Sequence, residues 1–256
     1  MKQNNNQGLF LSFLFIILIY LFTRSYYSPF FLILLALLLS LAFLKEKNRL
    51  FAWVIISFFG GNLILFYFDK FIEGFDINPF LRVIINQLLF IIPILSICYV
   101  IKQFNKKISL FFKKPQLNTK IKLNKTYFYI MVIIISVSIV TVIITRDVKM
   151  DFHLVLSLFL FAFIHAFLQE VMWRGILLTQ FMMITSETAA ILFTSVAFAL
   201  NTTIFGFSPA VFLLYLSFGC AFGVLTTIYK SILPSIIAHA LVLIFFFLNG
   251  FIQLPI

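Results

Sequence analysis

Residues 152–184 read FHLVLSLFLFAFIHAFLQEVMWRGILLTQFMMI, an apolar run that is interrupted near its middle by Glu170 and Arg174. A helix that spans the roughly 30 Å hydrocarbon core of a bilayer needs about 20 mostly apolar residues, and this run is long enough. An ionised side chain inside such a span is costly and needs a partner. The stretch therefore predicts a membrane-spanning helix that carries a buried polar site.

The rest of the chain has the same character. Of its 256 residues, 63% are hydrophobic and 11% are charged, whereas a typical soluble domain has about 25% charged residues. So few charges cannot form a water-soluble surface. The fold class predicted is an all-α polytopic membrane protein, a bundle of about eight or nine transmembrane helices. The candidate spans are Leu9–Phe22, Pro29–Leu44, Phe51–Phe68, Phe80–Ile101, Tyr127–Thr145, Phe152–Ile184, Thr188–Phe205, Pro209–Tyr229 and Ile232–Phe251.

The polar loops between the spans predict the topology. Short cytoplasmic loops are enriched in lysine and arginine, and two loops here are strongly basic, whereas the loop with Asp69, Glu73 and Asp76 is not. We therefore expect a multi-pass protein of the cell membrane with a cytoplasmic N-terminus. The basic loops contain Lys45, Lys47 and Arg49 in one, and Lys102, Lys106, Lys107, Lys113, Lys114, Lys120, Lys122 and Lys125 in the other.

The basic loops also indicate the organisation of the chain and its partners. Residues 1–126 are predicted to form N-terminal transmembrane helices that end in the second basic loop, and residues 127–256 a helical core. Although the net charge is +11, the charge adjoins the membrane and no nucleic-acid recognition module accompanies it, so membrane lipids are the expected partner and nucleic acid is not. Cys98 and Cys220 lie in apolar runs and are predicted to be small buried hydrophobes.

One group of polar residues lies inside the apolar spans. Glu170 is the one acid well inside a span, and Arg174 shares its helix face by the i,i+4 spacing. His239 interrupts the last span, which Pro234 either begins or kinks. Gly219 and Gly223 form a small-xxx-small pair that lets a neighbouring helix approach closely. Two interpretations stay open: an ion pair that only joins helices, or a functional site in a polar cavity.

At these residues the sequence resembles the CPBP family, the intramembrane proteases related to CAAX prenyl endopeptidases and to bacteriocin-immunity (Abi) proteins. The family pattern is Glu-Glu-x-x-x-Arg-Gly on one helix, Phe-x-x-x-His on the next, and His-x-x-x-Asn after a proline on the last. The corresponding residues extend over roughly Phe152 to Asn249. They are Gln169-Glu170-Val-Met-Trp-Arg174-Gly175, then Phe198-Ala-Leu-Asn201-Thr202, and last Pro234 with His239-Ala-Leu-Val-Leu243.

The departures from this pattern bear on catalysis. The resemblance implies that the first glutamate activates water and that the second-helix histidine assists it or a metal, but Gln169 and Thr202 stand at those positions and Leu243 replaces the asparagine. An amide does not take up a proton near neutral pH. Glu170, Arg174 and His239 are retained as the candidate catalytic residues, and His165 or Asn201 are possible replacements for the lost groups. No metal site or cofactor is predicted, because a metal needs about three protein ligands.

Three functions are weighed from these features. The first is a degenerate member of the family, a membrane scaffold or regulator of a cell-envelope enzyme such as a cell-wall hydrolase or a lipoprotein-modifying enzyme. The second is an active CAAX-type endopeptidase or acyl-modifying enzyme with Glu170 as base. The third is a small transporter in which Glu170 and His239 relay protons, although the inverted repeats typical of transporters are not seen.

Overall fold

The computed structural model describes residues 6–24, 29–44, 46–106, 152–202 and 208–249. All regular structure in these ranges is helical. The elements are α1 Asn6–Arg24, α2 Pro29–Leu44, α3 Glu46–Glu73, α4 Pro79–Leu88, α5 Ile91–Gln103, α6 Phe152–Glu170, a π-helical segment Val171–Leu177, α7 Leu178–Ile184, α8 Glu187–Thr202, α9 Pro209–Tyr229 and α10 Leu233–Leu248.

The helices confirm an all-α polytopic membrane protein. Five helical stretches are long and apolar enough to cross a bilayer, and three shorter helices are also apolar. The predicted span Tyr127–Thr145 and the basic loop beyond Lys106 lie outside the described residues. The cytoplasmic N-terminus and the division of the chain at residue 126 remain predictions.

The predicted span Phe80–Ile101 lies within Pro79–Gln103, a helical stretch that is long and apolar enough to cross a bilayer, and the structure adds a short break inside it. It consists of α4 and α5, which are separated at Leu89 and Phe90. Pro93 has no N–H group and cannot donate to the Leu89 carbonyl four residues earlier. That carbonyl instead accepts from the Ile92 N–H at 2.9 Å, the shorter i+3 pattern. The proline thus explains the local break.

The N-terminal helices pack around aromatic rings. Six buried phenylalanines from α1, α2, α3 and α7 contact one another, and we call this group the phenyl core. Ring centroids of its members lie between 5.2 and 5.9 Å apart. Close helix packing is possible because Gly61 meets α5: a Cβ atom there would lie 2.5 Å from Pro93 Cα. The phenyl core consists of Phe15, Phe22, Phe31, Phe58, Phe59 and Phe181.

The C-terminal helices bring the family motifs together. α6 packs against α4 and α10, and α8 packs against α9. The α8–α9 contact is close at Gly219, where a Cβ atom would lie 2.9 Å from Ser195 Cβ, as the small-xxx-small spacing predicts. Lys230 ends α9 in a left-handed conformation (φ 50°), and Pro234 stands in the first turn of α10. Pro234 therefore begins the last helix, one of the two roles predicted for it.

The two cysteines differ from the prediction of full burial. Cys98 and Cys220 are both free, and each is half-buried. Cys98 lies on α5 and Cys220 on α9, where both helices also present apolar side chains outward. The thiols therefore lie at the margins of the helix packing, and the sequence overestimated their burial because a long apolar run does not reveal which face looks inward.

Candidate functional site

Three side chains predicted from two distant stretches meet inside the bundle; we call Glu170, Arg174 and His239 the polar core. Glu170 Oε1 lies 2.8 Å from His239 Nδ1, and Glu170 Oε2 lies 3.4 Å from Arg174 Nε. Glu170 is fully buried, and the other two are 1% and 4% exposed. The carboxylate is therefore enclosed between two potential positive charges, which satisfies the need of a buried charge for partners.

The guanidinium of Arg174 is held on several sides. Its Nη2 donates to the Gly219 carbonyl at 3.1 Å. Its Cζ lies 4.5 Å from the ring centroid of Phe198 and 5.5 Å from that of Phe222. Cation–π contacts of this kind stabilise a cation that has been removed from water. Arg174 thereby connects the polar core to α8 and α9, and Phe198 is the aromatic residue that begins the second motif quoted above.

Aromatic rings fix the orientation of His239. The Phe222 ring stacks on the imidazole at 5.0 Å and 21°, and the Phe198 ring meets it edge-on at 6.0 Å. The third ring is His165, whose centroid lies 5.7 Å away at 85°. The imidazole therefore has little freedom to leave Glu170.

His165 is joined to the N-terminal half of the chain. Its Nδ1 is hydrogen-bonded to Gln87 Oε1 on α4, and its ring contacts Phe90 and Phe161. The sequence offers His165 as a replacement for a lost catalytic group, and the structure places it beside His239. Gln87 was not predicted, since a single glutamine in an apolar helix gives no sign of its partner.

The three positions at which the sequence departs from the quoted motifs form ordinary structural contacts. Gln169 Oε1 accepts a hydrogen bond from Trp173 Nε1 at 2.9 Å, and the Thr202 hydroxyl donates to the Ala199 carbonyl at 2.7 Å. Leu243 is buried. At these three positions the side chains therefore bond within their own helix or pack, and none supplies a base.

The local backbone around Glu170 and Arg174 is unusual. Immediately after Glu170 the helix widens into the π-helical segment, where the Leu178 N–H bonds to the Trp173 carbonyl five residues earlier. The Thr179 hydroxyl donates to the Ile176 carbonyl at 2.6 Å within the same region. Short π segments inside α-helices are frequent at functional sites. Arg174 lies within this segment, and its side chain still pairs with that of Glu170.

The polar core has limited capacity for metal binding. In the described ranges, no group of three or more histidine, cysteine, aspartate or glutamate side chains could hold a metal ion. Two polar atoms of the core, Glu170 Oε2 and Arg174 Nη1, are buried and make no hydrogen bond to the described residues. They present one acceptor and one donor to any small molecule that reaches them.

Comparison with known families identifies this region. Residues 151–245 match the family model described as type II CAAX prenyl endopeptidase Rce1-like. This segment is therefore similar to the CAAX protease family. The family segment includes the whole polar core, His165 and all three positions that depart from the quoted motifs, whereas Gln87 lies before it. Neither the curated proteins nor the solved structures gave a match to the chain.

Proposed function

We propose that this chain is a CAAX-protease-like membrane protein that does not carry out standard proteolysis and acts as a membrane scaffold or regulator of a cell-envelope enzyme. Candidates for that enzyme are a cell-wall hydrolase and a lipoprotein-modifying enzyme. The family match supports the fold and the membrane location. The inactivity and the partner are inferred from the polar core and from the resemblance to non-proteolytic members.

The engagement of Glu170 is the observation that carries the proposal. The carboxylate is fully buried, lies 2.8 Å from His239 Nδ1 and pairs with Arg174. A general base must be within reach of the proton that it takes and must be free to take it. A carboxylate that balances a buried guanidinium is poorly suited to that role, and the amide of Gln169 cannot replace it.

The test of the scaffold role uses the native cell and a charge-neutral variant. Glu170→Gln combined with Arg174→Gln removes the carboxylate without leaving a buried cation unpaired. We expect this protein to complement a deletion strain and to copurify in mild detergent with the same envelope enzyme as the unaltered chain. Gly60→Ala serves as a matched control, because a Cβ atom at Gly60 would meet nothing within 4 Å. A variant of normal abundance that binds the partner but fails to complement would contradict the proposal.

A second test asks for proteolysis directly. Purified chain in detergent is incubated with a prenylated peptide that ends in a CAAX sequence, and product release is followed by mass spectrometry. We expect no cleavage above a protein-free control. Cleavage that the double variant lacks would exclude the scaffold role as a complete account.

The active enzyme remains a second candidate because of one arrangement. His165 and His239 lie with ring centroids 5.7 Å apart, and His239 contacts Glu170. Two imidazoles beside a carboxylate can pass a proton between them. If His165 replaces the lost second-helix histidine, His165→Phe should abolish product release while Thr202→Val has no effect.

A further inference from the structure

The helix α4 presents a polar face to the bundle. Arg82 and Asn86 are spaced i,i+4, and Gln87 follows on the same side. Leu81 and Leu88 project from the other side and are 50% and 42% exposed. α4 packs against α6 and α3, Gln87 contacts His165 on α6, and Arg82, Asn86 and Gln87 are each less exposed than the two leucines.

Gln87 connects this polar face to the polar core through two hydrogen bonds and one ring contact. Gln87 is hydrogen-bonded to His165, the His165 ring meets the His239 ring, and His239 bonds Glu170. At the other end, Arg82 Nη2 donates to the Phe75 carbonyl at 2.8 Å. The row therefore extends from the exposed turn after α3 to the most deeply buried acid of the described chain.

Polar atoms without a hydrogen bond occur at both ends of the row. They are buried, yet make no hydrogen bond to the described residues. Buried polar groups in proteins are almost always hydrogen-bonded, to protein or to ordered water, and inside a bilayer lipid cannot supply the missing partner. Two of the atoms are donors and two are acceptors, and water satisfies both kinds. They are Arg82 Nε and Asn86 Oδ1 on α4, and Arg174 Nη1 and Glu170 Oε2 in the polar core, where Oε2 has the 3.4 Å ion pair with Arg174 Nε but no hydrogen bond.

We propose that the polar face of α4 lines a hydrated passage that brings water from the turn at residues 74–78 to the Glu170–His239 pair. The inference goes beyond the proposed function, because it holds whether or not Glu170 performs chemistry. At a rise of about 1.5 Å per residue, Gln87 lies roughly 12 Å along the helix from Pro79. That distance is close to half of the roughly 30 Å hydrocarbon core, so the row reaches the middle of the membrane.

The passage is tested by the reactivity of single cysteines towards a small, charged, membrane-impermeant thiosulfonate. The background carries Cys98→Ala and Cys220→Ala. Asn86→Cys tests the passage, Leu88→Cys is the control at similar depth on the lipid side, and Asp76→Cys reports the exposed turn. Because only the thiolate reacts and a thiol ionises poorly in lipid, we expect Asn86→Cys to react at least about tenfold faster than Leu88→Cys.

The side of the membrane from which the reagent modifies each cysteine gives a second test. The reagent should modify Asn86→Cys from the same side as Asp76→Cys, in intact cells or in inverted vesicles. Val83→Cys, which lies between Asn86 and Gln87 around the same helix face, is the alternative if Asn86→Cys fails to fold. Equal rates for the passage position and Leu88→Cys, or modification from the opposite side, would overturn the passage. Neither result depends on the envelope partner, so the passage and the scaffold role fail separately.

Discussion

The phenyl core and the polar core are two solutions to holding helices together in an apolar chain. In the phenyl core, six rings in contact at 5.2 to 5.9 Å join α1, α2, α3 and α7. In the polar core, one carboxylate joins a guanidinium and an imidazole from separate helices. The first depends on shape and tolerates gradual change, whereas the second depends on each partner being present.

Trp173 is the point at which the two regions meet. Its ring lies 5.7 Å from that of Phe58 in the phenyl core and 5.9 Å from that of Phe198 beside Arg174. Its Nε1 donates to Gln169, the first position that departs from the family pattern. The glutamine that stands where the family pattern has glutamate therefore keeps an acceptor for the indole while removing a charge.

The largest effect is expected from Glu170→Leu. The change leaves Arg174 buried without a counter-ion, and breaking a buried ion pair in this way costs about 3–5 kcal/mol. Unfolding by a graded mixture of denaturing and mild detergents measures the loss of free energy of unfolding. Glu170→Leu combined with Arg174→Met removes both charges and should restore most of it, since apolar replacement of a whole pair is often neutral. If the double variant loses as much free energy of unfolding as Glu170→Leu alone, the unpaired guanidinium is not the source of the cost.

A somewhat smaller effect is expected where α3 meets α5 beside the phenyl core. In Gly61→Ala, the new Cβ atom would lie 2.5 Å from Pro93 Cα and 2.9 Å from Pro93 Cβ, so the helices must separate. Overpacking of this kind costs about 1–3 kcal/mol. Gly60→Ala, one residue earlier and with no atom within 4 Å of the new Cβ, should leave the midpoint of thermal unfolding unchanged or slightly raised. Equal midpoints for the two variants would mean that the α3–α5 contact is not close.

Trp173→Phe tests the junction of the two cores. The smaller ring keeps aromatic packing near Phe58 but leaves the buried Gln169 Oε1 without its donor. An unsatisfied buried acceptor costs about 1–2 kcal/mol, measured again as free energy of unfolding. Adding Gln169→Leu removes the acceptor and should recover part of the loss. If the double variant recovers no free energy of unfolding, the loss in Trp173→Phe comes from the smaller ring volume alone.

The sequence predicted the parts of this protein that depend on composition and on local spacing. Apolar run length gave the helices, and the i,i+4 spacing gave the pairing of Glu170 with Arg174. The family motifs placed His239 near Glu170, and the two side chains are in contact. Their catalytic roles stay predictions.

Other features could not be derived because they depend on tertiary contacts or on small backbone changes. Nothing in the amino-acid sequence of residues 171–177 distinguishes a π-helical turn from an α-helical one. The partner of His165 is Gln87, separated by 78 residues, and only the packing of α4 against α6 brings them together. Pro93 is a local signal for the break between α4 and α5, but a prediction based on the length of the apolar run does not use that signal.

The smallest expected effects come from two buried serine hydroxyls, one in the N-terminal helices and one on the helix that carries His239. Ser12 on α1 donates to the Gly8 carbonyl at 2.8 Å, and Ser235 on α10 donates to the Ile232 carbonyl at 2.8 Å and accepts from Thr226. Side-chain hydrogen bonds in membrane proteins contribute about 0.6 kcal/mol on average. Ser12→Ala should cost about that much or less, since the Gly8 carbonyl keeps its helical environment.

Ser235→Ala should cost more than Ser12→Ala, because the Ser235 hydroxyl has two hydrogen-bond partners, one of them on the neighbouring helix α9, whereas the Ser12 hydroxyl has one within its own helix. We expect about 1 kcal/mol, in the range of an ordinary buried hydrogen bond. The same detergent titration, with both variants measured side by side, resolves the difference. If the two serines proved equivalent, the hydrogen bond between Thr226 and Ser235 would contribute nothing measurable to stability. A larger cost at Ser235 would show that the bond between Thr226 on α9 and Ser235 on α10 stabilises the packing of the helix that carries His239.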